Sequence, residues 1–216
     1  MTSYVTVARA AQAVVEDRGS RFLCRVRRVG DEDAARELVA TLRREHPDAR
    51  HHCSAFVLGP RGELQRASDD GEPAGTAGAP MLEVLRGAGV SDVAAVVTRW
   101  FGGTLLGAGG LVRAYGDAVR AALAEAGTLR RSLLTEVALD LDHADAGRVE
   151  GELRARGVSV LDVAYDARVR LLLATAPDSL DRLGQVVAAA TSGAAEPVVV
   201  GERWVDGPGQ STSPST

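Results

Sequence analysis

Three carboxylates lie close together in a segment that is too rich in glycine and proline to form regular structure. Residues 68–80 read SDDGEPAGTAGAP and contain Asp69, Asp70 and Glu72. These side chains could bind a hard cation through their oxygens, or one of them could act as a general base. Asp-Gly sequences also form ordinary turns, in which Asp accepts hydrogen bonds from local N–H groups and Thr76 caps the following helix. The segment, with Gly75 and Thr76, is therefore a candidate site whose chemistry the spacing leaves open.

A cluster of five glycines follows a nearly all-apolar segment and precedes a long helical pattern. It consists of Gly102, Gly103, Gly107, Gly109 and Gly110. A strand, a glycine-rich turn and a helix N-terminus together form a natural anion site, because free N–H groups point outward and the helix dipole adds partial positive charge. Arg99 at the strand end and Arg113 one turn into the helix are placed to flank such a site. The alternative is a tight turn whose glycines only let the helix pack against the sheet.

The same cluster does not match a dinucleotide-binding fingerprint. After Gly107 and Gly109, the position that requires a third glycine is Val112, so we predict neither a nicotinamide nor a flavin cofactor. The chain contains no lysine, which excludes a Walker A phosphate loop and a lysine Schiff base. His51 and Cys53 share one side of a predicted strand, but two ligands do not complete a zinc site. The leading expectation is a chain with no cofactor, no metal ligands and no catalytic residues.

The elements that carry these segments alternate between strand and helix patterns. The N-terminal half predicts strands at residues 4–7, 20–29, 52–59, 63–67 and 93–101, and helices at 31–46, 81–87 and from the second glycine cluster to about residue 126. Beyond residues 127–131, strands at 133–141, 158–165, 169–173 and 197–205 enclose helices at 144–156 and 178–190. This second order is the βαββαβ arrangement of ferredoxin-like domains. The sequence therefore predicts an α+β protein with domains at 1–128 and 129–206.

The last ten residues, 207–216, contain Pro, Gly, Ser and Thr without a core residue and are predicted to form a disordered tail.

The formal net charge is −4, and neither half carries the basic excess of a typical nucleic-acid binder. Residues 1–127 contain 16 arginines and 16 acidic residues, and the remainder contains 9 and 13. No apolar run approaches the ~20 residues that span a bilayer, and no secretory signal opens the chain. We expect a soluble, cytoplasmic protein without membrane contact.

Two long segments carry a resemblance to a known family. Residues 68–80 and residues 98–115, which read TRWFGGTLLGAGGLVRAY, closely resemble two motifs of the YigZ/IMPACT family in the right order. Ser20-Arg21-Phe22 and His51-x-Cys53 also resemble its pattern. Trp100 stands where members usually have Tyr, so the aromatic ring is kept and the hydroxyl is lost. The resemblance covers residues 1–206.

The resemblance implies a particular pair of folds. The N-terminal domain would share the α+β fold of a small-subunit ribosomal protein domain and of domain IV of elongation factor G. The C-terminal ferredoxin-like domain would resemble domain V of the same factor. Eukaryotic relatives share the N-terminal domain and restrain a translational stress response by binding an activator of a starvation-sensing kinase, although they carry a different companion domain.

These implications favour a non-enzymatic regulatory or binding protein linked to translation, whose partner is RNA, the ribosome or a translation-associated protein. The glycine cluster with Arg99 and Arg113 would form the contact, and phosphate is its natural small anion. Two alternatives stay open: a small metal-dependent hydrolase or transferase that uses Asp69, Asp70 and Glu72, and a module that only binds a phosphate ligand. In a third interpretation both segments are structural, and Arg113 forms a surface ion pair with Asp117.

Overall fold

The computed structural model describes residues 1–210, in which ten strands and five α-helices alternate. The strands are β1 (Ser3–Val7), β2 (Ala11–Asp17), β3 (Ser20–Arg28), β4 (His51–Leu58), β5 (Leu64–Ser68), β6 (Val93–Trp100), β7 (Thr128–Leu141), β8 (Ser159–Tyr165), β9 (Val169–Thr175) and β10 (Val198–Gln210). The helices are α1 (Glu32–Glu45), α2 (Gly78–Gly87), α3 (Gly107–Ala126), α4 (His143–Ala155) and α5 (Leu180–Thr191), and a short 3₁₀ turn at Pro177–Ser179 precedes α5. The protein is therefore a mixed α+β chain with antiparallel sheets.

The described chain divides into two compact units, residues 3–130 together with residues 207–210, and residues 131–206. In the first unit, β2, β3, β6, β4 and β5 form one antiparallel sheet in that order. Helices α2 and α3 cover one face of this sheet and α1 covers the other. Because β6 is covered on both faces, it is apolar at nearly every position, as its sequence predicts.

Alternation along β6 decides which side chains reach which helix layer. Val93, Ala95 and Val97 belong to the core beneath α2 and α3, whereas Ala94 and Val96 belong to the core beneath α1. Successive side chains of a strand point to opposite faces, so Arg99 continues the face that carries α3. Thr98 continues the face that carries α1. The alternation along β6 therefore places the Arg99 side chain on the face of the sheet that α3 covers.

Helix α1 follows from its sequence in a simple way. Asp31 is the N-cap, and its carboxylate accepts a hydrogen bond of 2.7 Å from the Ala34 N–H. Ala35, Leu38 and Leu42 form the buried stripe that packs on the sheet. The helix ends at Glu45, two residues before Pro47, in agreement with the predicted boundary.

Strand β2 was not predicted from the sequence. Its side chains are only half-buried or exposed, and Val14 lies on the exposed face, so the apolar alternation that marks a strand is weak. The strand pairs antiparallel with β3 through a turn at Arg18 and Gly19, whose φ angles are 46° and 80°. The turn and the pairing with β3 therefore place β2 at the edge of the sheet, and β2 has no strong apolar pattern of its own.

The second unit has the element order β7, α4, β8, β9, α5 and β10. Strand β9 pairs antiparallel with both β7 and β8, and β10 pairs with β7. This is the predicted βαββαβ order. Its core contains Val137, Leu139, Leu153, Leu171 and Val187, which come from both strands and helices.

The predicted disordered tail needs a correction where the structure describes it. Residues 207–210 form the end of β10, because strand pairing does not require an apolar core residue at each position. Residues 211–216 of the predicted tail lie outside the described residues. Within residues 1–210, none of the helices combines the length and the apolar composition that a membrane span requires.

Candidate functional site

The acidic segment forms the connection between β5 and α2, and Asp69 organises it. The Asp69 carboxylate accepts hydrogen bonds from the N–H groups of Gly75, Ala77 and Gly78 at 2.8–3.0 Å. Burial by itself would raise the pKa of this carboxyl, but the three N–H donors together hold its pKa below the ordinary value. Asp69 thus satisfies the N–H of Gly78, the first residue of α2, and those of two residues that precede the helix.

The predicted cap by Thr76 is wrong for this reason. The N-cap position of α2 is Ala77, whose own side chain makes no capping hydrogen bond in the described structure. Thr76 is buried and its hydroxyl donates instead to the Pro73 carbonyl at 2.7 Å. Asp69 reaches the helix N-terminus from eight and nine residues away along the chain, a contact that local spacing rules do not anticipate.

Asp70 ties the segment to the end of β4. Its backbone has a φ of 41°, and its carboxylate accepts a hydrogen bond of 2.7 Å from the His52 N–H. The same carboxylate forms an ion pair with Arg43 of α1. The Asp70 carbonyl oxygen lies 2.9 Å from His51 Nδ1. Asp70 therefore anchors a turn.

Glu72 is the point at which the acidic segment meets the glycine-rich segment. Its side chain is buried, and Oε1 accepts hydrogen bonds from Arg99 Nη1 at 2.6 Å and from the Tyr115 hydroxyl at 2.7 Å. His51 Nε2 lies 4.0 Å from the same oxygen. The two segments therefore do converge, as the catalytic interpretation required, but they do so through a buried ion pair.

Cys53 extends this buried cluster. Its sulfur lies 3.0 Å from the Asp69 carbonyl and 3.2 Å from the Tyr115 hydroxyl, so its single hydrogen is donated to one of these oxygens. Burial raises the pKa of the Cys53 thiol to about 12, and burial also raises the pKa of Tyr115. Both groups remain protonated at neutral pH and act as hydrogen-bond donors rather than as nucleophiles.

We define the buried polar cluster as Cys53, Glu72, Arg99 and Tyr115. It joins β4, the acidic segment, β6 and α3 through the hydrogen bonds given above. The guanidinium of Arg99 also lies 5.4 Å from the ring centre of Phe22 and 5.8 Å from that of Phe101. Arg99, which the sequence predicts to flank an anion site, is instead buried and paired with Glu72.

The three acidic side chains point to different partners. Asp69 accepts from backbone N–H groups, Asp70 from His52 and Arg43, and Glu72 from Arg99 and Tyr115. Among residues 1–210, no group of three His, Cys, Asp or Glu side chains is arranged to hold a metal ion. The geometry therefore offers no support for the alternative of a metal-dependent hydrolase or transferase.

The second candidate segment is the glycine loop, which we define as residues 101–110, from the end of β6 into α3. Gly102 lies against the turn between β2 and β3, where an added Cβ would come within 1.9 Å of the Gly19 carbonyl carbon. Its N–H donates to the Ser20 hydroxyl at 3.2 Å. Gly103 and Gly107 have φ angles of 86° and 72°. These three positions thus have structural reasons to be glycine.

Gly109 has no such reason. An added Cβ at this position meets no atom within 4 Å, and the residue is exposed in the first turn of α3. Within residues 1–210 the N-cap position of this helix is Leu106, whose side chain makes no capping hydrogen bond. The small side chain therefore keeps the backbone of the helix start accessible, which is the geometry that the anion-site prediction requires.

The glycine loop also exposes large apolar side chains. Phe101 is 47% exposed and Leu105 is 81% exposed. Leu106, by contrast, is buried and packs beneath the loop. Exposed Phe and Leu side chains on a loop with a fixed base are typical of a surface that contacts a partner.

Arg113 lies apart from Arg99. It is exposed on α3 and lines a groove of about 580 Å³ between α2 and α3, together with Glu83, Val84 and Val112. The predicted pair with Asp117 is wrong, since Asp117 binds Arg120 at 2.7 Å. No described residue forms an ion pair with Arg113. Of the two predicted arginines, Arg113 is the one available to a ligand.

Sequence reasoning missed the polar role of Tyr115 and the partners of Trp100. Tyr115 belongs to the buried stripe of α3, and a tyrosine among small residues could have signalled a buried hydroxyl in need of a partner. The Trp100 indole donates to Asp48 at 2.7 Å, and the Arg21 guanidinium lies 5.0 Å from its ring centre. Neither pairing has a signal in the local pattern, because the partners are distant along the chain.

Comparisons with known proteins agree with the resemblance drawn from the two motifs. The Impact N-terminal domain model matches residues 18–123, and a domain of unknown function, DUF1949, matches residues 139–194. The IMPACT family member YvyE of Bacillus subtilis (strain 168) is 42% identical over 77% of this chain and 77% of its own length. The IMPACT family member YigZ of Escherichia coli (strain K12) is 43% identical over 81% of this chain and 86% of its own.

A solved structure is similar over nearly the whole chain. It is described as the crystal structure of an hypothetical protein, and it is 38% identical with a TM-score of 0.66, covering 93% of this chain and 98% of its own. The order of the two family models follows the order of the two units along the chain. With two matching models and relatives of this identity and coverage, the chain belongs to the IMPACT family.

Proposed function

We propose that this protein is a non-enzymatic regulatory or binding protein linked to translation, whose partner is RNA, the ribosome or a translation-associated protein. Membership of the IMPACT family supports the link to translation, because the resemblance implies that eukaryotic relatives with the same N-terminal domain restrain a translational stress response. The proposal includes the finer relationship of the first unit to a ribosomal protein domain and to domain IV of elongation factor G, and of the second unit to domain V. Fold likeness alone would not establish a function, so the argument rests on the glycine loop.

The observation that carries the proposal is an exposed loop on a rigid base. The buried polar cluster fixes Arg99. The glycine loop begins two residues later, and its Phe101 and Leu105 side chains are exposed to solvent. Ionisable groups at the base are engaged with one another, so they offer no free acid or base to a substrate. A fixed loop with exposed aromatic and aliphatic side chains favours binding over catalysis.

Phosphate is the anion that the start of α3 would bind. Uncapped N–H groups at a helix N-terminus bind phosphate oxygens, and the absence of a side chain at Gly109 permits close approach. Arg113 lies one turn further along the helix and adds a full positive charge. Phe101 would stack on a base, since aromatic stacking tolerates any base sequence. Arg99 contributes indirectly, by holding the strand end in place.

Binding of a single-stranded RNA across a salt series tests the proposal. Each phosphate contacted is expected to add about −0.7 to the slope of log affinity against log salt. Arg113→Glu is expected to weaken binding and flatten that slope. Arg44→Glu is the matched control, because Arg44 is also exposed without a carboxylate partner but lies on α1, on the other face of the sheet.

Gly109→Ala separates binding from folding. The added methyl group has open space in a helix, so the variant is expected to be at least as stable as the wild type and to bind RNA more weakly. Absence of RNA binding at low salt, where electrostatic attraction is greatest, rejects the RNA contact. Ribosome co-sedimentation of the wild type, compared with Phe101→Ser/Leu105→Ser, then tests the loop as a surface for a translation-associated protein.

A further inference from the structure

A second cavity of the first unit is lined by several arginines. It lies near the start of β6, whereas the glycine loop follows the end of that strand. It has a volume of about 400 Å³, within the range of small-molecule sites. Its walls come from β1, from the turn between β4 and β5, from the residues after α2 and from Arg130. The glycine loop follows Trp100 at the end of β6, whereas this cavity lies beside the residues that precede Val93. The two sites are therefore separate.

Three arginines line this cavity, and its lining contains no carboxylate. They are Arg61 of the turn, Arg86 of the last turn of α2, and Arg130. Most arginines of the chain form an ion pair with a carboxylate. None of these three does so among the described residues, and Arg130 donates only to the Ser3 hydroxyl, at 3.0 Å. A protein of net charge −4 thus leaves three cations unneutralised in one cavity.

Two carboxylates that neighbour lining residues along the chain are engaged elsewhere. Asp92 accepts hydrogen bonds from the Tyr4 hydroxyl and from the Gly59 N–H, the latter at 2.8 Å. Glu63 accepts from the backbone N–H of Arg61 at 3.0 Å, and not from its guanidinium. Both acidic groups therefore organise the backbone around the cavity and leave the arginine side chains available.

Interaction with a helix dipole explains only one of the three arginines. Arg86 lies near the C-terminus of α2, where a cation interacts favourably with the helix dipole. Arg61 belongs to a β-turn and Arg130 to β7, so this explanation does not extend to them. Like charges that line one cavity repel one another, and a bound anion reduces that repulsion.

The remaining walls indicate the size and type of the anion. Val5, Val57 and Val90 provide an apolar wall, and the Gln65 amide and the Ser3 hydroxyl provide neutral hydrogen-bonding groups. Guanidinium groups bind phosphate oxygens in bidentate geometry, while an apolar wall accommodates an uncharged ring. We propose that this cavity binds a small phosphorylated organic molecule of the size of a nucleoside diphosphate.

Isothermal titration calorimetry of the full chain tests the site with ADP, GDP and inorganic pyrophosphate as probes. Saturable binding of at least one probe is expected, and comparison of pyrophosphate with the nucleotides separates the phosphate contribution from that of the apolar wall. Arg61→Ala/Arg86→Ala and Arg130→Ala are each expected to reduce affinity about tenfold or more, because hydrogen bonds between charged groups are lost. Arg86→Lys keeps the charge but loses the bidentate geometry, and should give an intermediate loss.

Arg44→Ala/Arg182→Ala is the matched control, since both are exposed arginines outside the cavity that form no ion pair with a carboxylate among the described residues. Thermal unfolding of each variant without ligand establishes that it is folded. Equal loss of affinity in the control and in the cavity variants would overturn the proposal, since binding would then follow total charge. Failure of all three probes to bind at low salt would also overturn it, as would binding of a single-stranded RNA through these arginines in the absence of small-phosphate binding.

Discussion

At the scale of single residues, Glu72 is the side chain on which the two motif segments meet. Its Oε1 accepts from Arg99 and from Tyr115, and the ion pair is almost entirely removed from water, with side-chain exposures of 3% for Glu72 and 8% for Arg99. Removal of one charge from such a pair leaves the other buried without compensation. The pair therefore matters more to stability than any surface pair of this chain.

Glu72→Gln is expected to lower the free energy of unfolding by about 3–5 kcal/mol, because Arg99 stays charged in a buried site. Urea unfolding followed by circular dichroism measures the loss. Glu83→Gln is the matched control on an exposed position of α2, and its effect should stay within ~0.5 kcal/mol. Equal effects of the two variants would contradict the buried-pair account. Glu72→Gln/Arg99→Met should recover part of the loss, since it removes both charges.

His52 makes stability depend on pH. The ring is buried and lies 3.1 Å from the Thr98 hydroxyl, and burial lowers the pKa of His52 below its ordinary value of 6.5. Between the lowered pKa and 6.5 the unfolded chain binds more protons than the folded one, so stability falls as the pH falls in this window. Above about pH 6.5 the ring is neutral in both the folded and the unfolded chain, so titration of His52 no longer lowers the free energy of unfolding.

The measurement is the free energy of unfolding between pH 7.5 and pH 5, compared among wild type, His52→Gln and His143→Gln. His52→Gln should flatten the decline below pH 6.5, because the titrating group is gone. His143 is exposed, and its substitution should leave the slope unchanged. A wild-type stability that rises as the pH falls through this window would be inconsistent with a lowered pKa.

At the scale of elements, the glycine loop shows two kinds of glycine. Gly102 lies against the backbone of the turn between β2 and β3, whereas Gly109 borders open space. The same substitution should therefore have opposite effects at the two positions. This difference separates the structural interpretation of the cluster from the functional one.

Gly102→Ala is expected to cost about 1–3 kcal/mol, because its Cβ would overlap the Gly19 backbone and neither chain can move without breaking the pairing of β2 with β3. Gly109→Ala is expected to stabilise the protein by up to ~1 kcal/mol, the preference of a helix for Ala. Thermal denaturation of both variants in the same buffer measures the contrast. Destabilisation by Gly109→Ala would show that this position also has a packing reason to be glycine.

At the scale of the whole molecule, each unit has its own hydrophobic core. The core of the first unit contains Phe22, Met81 and Tyr115, and that of the second contains Leu139 and Leu171. A domain with its own core can lose stability without the other. Local effects of a core substitution are therefore expected to stay within one unit.

Leu171→Ala should cost about 2–5 kcal/mol in the second unit, because it opens a cavity at a fully buried position. Native-state hydrogen exchange measures where the loss falls. Amides of Val169–Thr175 should exchange faster, while those of Val93–Trp100 should keep their wild-type rates. Faster exchange in both segments would mean that the two units unfold together.

Much of the fold follows from the sequence alone, because periodicity and turn residues act over short distances. The buried run of β6, the capped helix α1 and the βαββαβ order of the second unit all correspond to local patterns. Both motif segments were located from their composition. The edge strand β2 was not, because its half-exposed side chains leave no strong alternation.

The contacts of the motif residues follow from tertiary packing. Glu72 and Arg99 are 27 positions apart, and Glu72 and Tyr115 are 43 apart, so strand register and helix packing bring them together. The same holds for Arg61, Arg86 and Arg130, which come from a turn, a helix end and a strand. Residue types and turn patterns establish which positions carry charge and where the chain bends. The fold determined which charges are buried with a partner and which are left for a ligand, because burial and pairing depend on contacts between distant segments.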